Sequence, residues 1–166
     1  DQYLVDEQWR DLETVTETIQ VAGGDDVTID VRYTHRGPLI SDADRSLREA
    51  IDDPPVSAAL AAQAQSSPPT DGDEYAVSLA WTALSPGYTI DALFALNTAE
   101  DFAEFRRAAS LFEVPAQNLV YADVAGNIGY QAPGKVPVRG AGDGRWIAPG
   151  WDSAYDWAGF IPFEEL

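Results

Sequence analysis

His35 is the only imidazole in a chain of 166 residues that has no cysteine and no methionine. A serine–histidine–aspartate triad would have to run through it, and no nucleophile motif surrounds it. Beside the Gly37-Pro38 break it reads as a structural or exposed histidine. Thiol catalysis, disulfide staples and Cys-bound zinc are excluded by composition. Asp123 and Asn127 could ligate a metal or act catalytically. They also sit between two β-prone runs, where an Asp accepts backbone N–H groups and an Asn takes a strained turn position. Asp143 and Asp156 are loop carboxylates that turn chemistry explains. Trp146, Trp151 and Trp157 could line a sugar-binding groove.

The elements that must position these groups follow from periodicity. Leu119 to Ala122 and Ile128 to Ala132 are apolar and β-prone, and Asp123-Val124-Ala125-Gly126-Asn127 between them predicts a hairpin. Residues 13–21 alternate Val15, Ile19 and Val21 against Thr14, Thr16 and Thr18. Residues 27–34 alternate Val27, Ile29, Val31 and Tyr33 against Thr28, Asp30, Arg32 and Thr34. With Gly23-Gly24 between them, these runs predict a second hairpin. Residues 1–5 read as strand, and residues 75–82 as a further strand with both faces covered. A helix is expected over about 99–112, with Phe102, Phe105, Ala109 and Phe112 as its apolar stripe. Thr98 and Asp101 give it a weak capping box, and Pro115 bars continuation beyond it. Residues 89–96 fit helix or strand. Residues 42–73 read as a peripheral excursion: a short helix to about Ile51 capped by Ser41 or Asp42, an Ala-rich helix over 56–65, then a polar loop. The fold class is α+β, mostly antiparallel hairpins with one main helix. No linker divides the chain.

Charge sets the partner classes. The formal net charge is -18, and Lys135 is the sole lysine. Nothing here neutralises phosphates in bulk, so neither nucleic acid nor an anionic membrane is an expected partner. No apolar run is long enough to span a bilayer. A lysine-poor acidic surface suits molar salt, where the Debye length falls to about 3 Å and like charges cease to repel. A halophilic source is therefore expected, with an ordinary acidic bacterial protein as the alternative reading.

Several stretches together resemble the penicillin acylases (penicillin amidases), a family of N-terminal-nucleophile hydrolases. They are Pro115-Ala116-Gln117-Asn118, Tyr121 through Tyr130, Gly134 through Arg139, Gly142-Asp143-Gly144, Pro149-Gly150-Trp151 and Tyr155 through Phe163. Gly37 through Ser41, Leu79 through Leu84 and the opening Asp1-Gln2-Tyr3 fit the same pattern. Arg36 stands where the family often has histidine. The similarity spans residues 1–166, weakest across 42–73 and most specific in the last fifty residues.

The resemblance implies an interior segment of the large (β) subunit, supplying part of a four-layer αββα sandwich. In that family a precursor cuts itself to expose a serine whose own α-amine serves as base, and an oxyanion hole completes the site. Residue 1 is Asp, so both groups are expected outside this chain, which would be inactive alone. The implied partners are the small subunit, the missing β-subunit flanks and, in the complete enzyme, a small N-acyl substrate. The resemblance also implies a calcium ion, for which Asp1 and the carbonyl of Gly144 fall at ligand positions. The remaining ligands would lie elsewhere, so calcium is expected in the full-length protein and not in this fragment. An extracytoplasmic or secreted setting is the implied localisation. Cut edges are expected to promote self-association. A non-catalytic binding module with its contact surface on Trp146, Trp151 and Trp157 is the alternative.

Overall fold

Among the described residues the strands form four small sheets, accompanied by two short helix pairs, in a computed structural model that describes residues 1–51, 54–68 and 74–166. The chain divides into two compact units. The first is Asp1–Ala80 with Arg139–Asp156; the second is Trp81–Val138 with Trp157–Leu166.

In the first unit, β1 (Gln2–Val5) pairs with β2 (Gln8–Asp11) across a tight turn. Its two central residues, Asp6 at φ 47° and Glu7 at φ 63°, are both left-handed. That geometry suits the twist of a two-residue hairpin, though glycine or asparagine is the usual occupant. β3 (Glu13–Ile19) and β4 (Val27–Thr34) pair residue for residue from Glu13↔Tyr33 to Ile19↔Val27. β5 (Gly37–Pro38) adds a short third strand against Tyr33 and Thr34.

The strand expected over 75–82 is reduced to one bridge, Leu39↔Ser78. The chain runs extended beside Pro38 to Ser41, with Leu79 N donating to Pro38 O at 2.9 Å and Ile40 N to Val77 O at 2.9 Å. Pairing cannot lengthen, because proline has no N–H to give and residues Ile40–Asp42 turn into a 3-10 helix. α1 (Arg45–Ile51) follows, its first turn held by Asp44 accepting from Ser46 N at 2.9 Å. α2 (Pro54–Gln63) begins on the prolines that end α1, as expected of proline in a first turn. Residues 52–53 and 69–73 of the expected excursion lie outside the described residues.

In the second unit, residues 89–96 resolve to helix. α3 (Thr89–Leu96) packs on α4 (Phe102–Ala109). α4 starts later than expected because its cap is Asp101, which accepts from Glu104 N at 2.8 Å, and it ends at Ala109 with Ser110 as its C-cap. Glu104 reaches back to Glu100 N at 3.1 Å, so the capping box lies three residues downstream of the expected one. β6 (Leu119–Ala122) and β7 (Ile128–Gln131) form the expected hairpin. Phe102 and Phe105 sit 5.4 and 5.3 Å from the Tyr121 ring. Gly129 lets Phe102 lie against β7; a Cβ there would fall 2.3 Å from the ring. Helix therefore covers one face of the hairpin. The opposite face presents Val120, Ile128 and Tyr130, all exposed. β8 (Pro137–Arg139) pairs with β9 (Trp157–Phe160).

Candidate functional site

The first unit gathers its polar side chains around the turn between β4 and β5. His35 lies under Tyr3, rings stacked at 5.7 Å, and Tyr3 Oη accepts from His35 N at 3.1 Å. His35 Nε2 approaches Asp156 Oδ1 at 3.3 Å, and Arg36 Nε donates to the same oxygen at 2.5 Å. Arg36 also donates to the carbonyls of Gly150 and, at 3.2 Å, Asp152. Arg36 thus ties the turn to the loop carrying Trp151, Asp152 and Asp156. Burial lowers the His35 pKa first, the Arg36 charge adds to this, and Asp156 opposes both. The ring is therefore neutral near pH 7. No Ser or Thr hydroxyl among the described residues bonds to His35, so it takes the structural role that the sequence suggested.

Asp152 is the residue that sequence reasoning missed. Its carboxylate is buried and accepts from Gln65 N at 2.5 Å, Ser66 N at 3.3 Å and Ala154 N at 2.9 Å. Burial raises its pKa, and the backbone donors of Gln65, Ala154 and Ser66 outweigh that, so it lies below the usual carboxylate value. Asp6 works beside it, accepting from Ser153 N at 3.0 Å and Ser66 Oγ at 3.2 Å. Together they pin the end of the α2 segment. The signal available was Asp152-Ser153-Ala154, an Asx turn opening a 3-10 helix.

Asp123 does what its position promised: Oδ1 accepts from Ala125 N and Asn127 N, both at 2.9 Å. Asn127 was expected in the strained position, but Gly126 takes it, at φ 88°. Asn127 instead donates its side-chain amide to Asp123 Oδ2 at 2.7 Å. Asp143 accepts from Arg145 N at 3.0 Å, again as a turn residue. The three tryptophans have different surroundings. Trp151 is buried against Tyr75, Trp146 is exposed, and Trp157 belongs to the second unit, where it packs on Phe160.

Of the expected calcium ligands, Asp1 is ion-paired with Arg32 at 2.7 Å, and the guanidinium opposes a second cation on that carboxylate. Gly144, at φ 74°, lies against the Arg139 guanidinium. Among the described residues no group of three or more His, Asp or Glu side chains could hold a metal ion. The residues present do not fit a full calcium shell.

Comparisons with known proteins agree on one family. The penicillin amidase family model matches residues 1–166. An acyl-homoserine lactone acylase QuiP of Pseudomonas fluorescens is 31% identical over 153 residues, covering 92% of this chain and 16% of that protein. The penicillin acylase 2 proenzyme of a Pseudomonas species is 31% identical over 150 residues, covering 90% of this chain and 16% of the proenzyme. A thermostable penicillin G acylase structure from Alcaligenes faecalis superposes with a TM-score of 0.66 at 27% identity, over 99% of this chain and 25% of that one. The chain thus spans about a sixth of the length of these curated relatives. On a match that runs from Asp1 to Leu166, with the helix and hairpin arrangement of an N-terminal-nucleophile hydrolase, the chain belongs to the penicillin amidase family.

Proposed function

We propose that residues 1–166 are an interior stretch of the large subunit of an N-acyl amide hydrolase, serving as scaffold for a nucleophile carried elsewhere in the parent protein. What carries this reading is the whole-chain match to a sixth of acylase-length relatives. The bare Val120, Ile128 and Tyr130 face of the β6–β7 hairpin supports it, since an apolar sheet face of this kind calls for a second layer. In this reading the other layers come from the parent's remaining β-subunit and its small subunit. The complete enzyme attacks the acyl carbon of an N-acyl amine through an N-terminal serine and its own α-amine. Penicillins and acyl-homoserine lactones are the substrate classes suggested by the relatives' names.

Calcium is assigned to the full-length protein rather than to this chain. It is a hard ion that takes roughly six to eight oxygens, and Asp1 and Gly144 would supply at most two of them. An extracytoplasmic setting is part of the same proposal.

The test compares the 166-residue chain with the full-length parent on a chromogenic phenylacetyl amide. We expect turnover by the parent, its loss when the N-terminal serine of the large subunit becomes alanine, and none by the chain alone. Turnover by the chain that resists serine-directed inhibitors would overturn the reading.

A further inference from the structure

The outer edge of the β3–β4–β5 sheet carries an inference about residues 1–166 that the hydrolase reading does not itself make. β3 is the outer strand, and among the described residues it pairs with β4 alone. Natural outer strands are blunted by charged side chains, lysine above all, by proline, by a bulge or by a covering segment. β3 has no lysine, proline or bulge over its seven one-to-one paired residues, and its only charges are Glu13 and Glu17, which guard it against another acidic strand but not against a basic one. Its pleat places Glu13, Val15, Glu17 and Ile19 on one face and Thr14, Thr16 and Thr18 on the other. The edge therefore shows carboxylate and aliphatic in alternation on one side and hydroxyls on the other.

The charge around this edge has one sign. Besides Glu13 and Glu17, the hairpin holds Asp25, Asp26 and Asp30. Its one base, Arg32, is taken up by Asp1 and Asp42, each at 2.7 Å. Ile19, Val27 and Ile29 on the carboxylate face are close to half exposed, at 50%, 48% and 42%. A second copy of this chain is a poor occupant, because each copy carries -18 and would set Glu13 and Glu17 of its own edge against those of the first.

We propose that β3 is an augmentation edge for an extended cationic–aliphatic segment of another polypeptide. Such a segment adds a fourth strand, setting Lys or Arg opposite Glu13 and Glu17 and Val or Ile opposite Val15 and Ile19. Main-chain hydrogen bonds then supply affinity, and the alternating side chains supply selectivity. The acidic field of the whole chain steers such a segment in.

The probe is the peptide acetyl-Lys-Thr-Val-Thr-Lys-Thr-Val-amide, with its twin carrying Glu at both Lys positions, titrated into the 166-residue chain. In dilute buffer the basic peptide should bind about tenfold tighter than the acidic one. The gap should close in molar KCl. Amide exchange should slow at β3 and not on the β6–β7 hairpin. Glu17→Lys, an exposed change whose folding is checked by thermal melt, should narrow or invert the preference. Equal affinity for the two peptides, an unchanged preference in Glu17→Lys, or protection elsewhere would overturn the proposal. So would β3 protection that appears without peptide and grows with protein concentration, since a second copy would then hold the edge.

Discussion

Asp152 illustrates how one carboxylate can fix a loop by gathering backbone N–H groups. Three backbone N–H groups converge on it in a buried setting. Asp152→Ala leaves those donors unpaired, and a lost cap with buried orphans costs about 2 kcal/mol. A drop of that size in a urea titration, with the β6–β7 hairpin unaffected by amide exchange, is the expected result. Because its folded pKa lies below the unfolded value, Asp152 stabilises the fold above the unfolded pKa of about 3.9. That stability disappears as pH falls through the lower folded value. His35 has the same sign for a different cause. Its folded pKa is also depressed, by burial and then by Arg36. The unfolded chain therefore takes up the proton first, and stability declines as pH drops below about 6.5 toward the folded value. The urea midpoint should fall between pH 7.5 and 5.5, and His35→Gln should flatten that slope.

At the scale of elements, the two long hairpins could be read from the chain because alternation and turn residues agreed. The β6–β7 turn is built from side chains that declare it, Asp123 and Asn127 around Gly126. The β1–β2 hairpin gave no such sign, because its left-handed pair is Asp6-Glu7 rather than asparagine or glycine. Residues 75–82 alternate like a strand, yet the neighbour available to them begins at a proline and ends in a 3-10 turn. Alternation reports burial on two faces; it does not supply a partner ladder. The α4 stripe was visible, while its start was displaced because Asp101 caps better than threonine. Asp101→Ala should therefore cost about 1 kcal/mol, read from the denaturation midpoint. Gly129→Ala should cost about 1–3 kcal/mol, because its methyl must push the Phe102 ring off the hairpin. A Phe102→Leu partner change should recover part of that loss, which a general strand effect would not allow.

The whole molecule is governed by its charge. Self-repulsion at -18 opposes compaction in dilute buffer, and salt relieves it. We expect the melting temperature to rise from dilute buffer to molar KCl; a flat or falling trend would speak against a halophilic source. Apolar surface at Phe94, Val120, Ile128 and Trp146 should also promote association once repulsion is screened, read by light scattering across the same salt series. The two compact units are each assembled from two separate stretches of chain, with Arg139–Asp156 returning to the first and Trp157–Leu166 to the second. A stop codon placed after Val138 would therefore injure both units at once, taking the Arg36 and Asp6 anchor points from one and the β9 strand from the other. Neither unit can be excised as an uninterrupted fragment, and any dissection of this chain must splice sequence rather than shorten it.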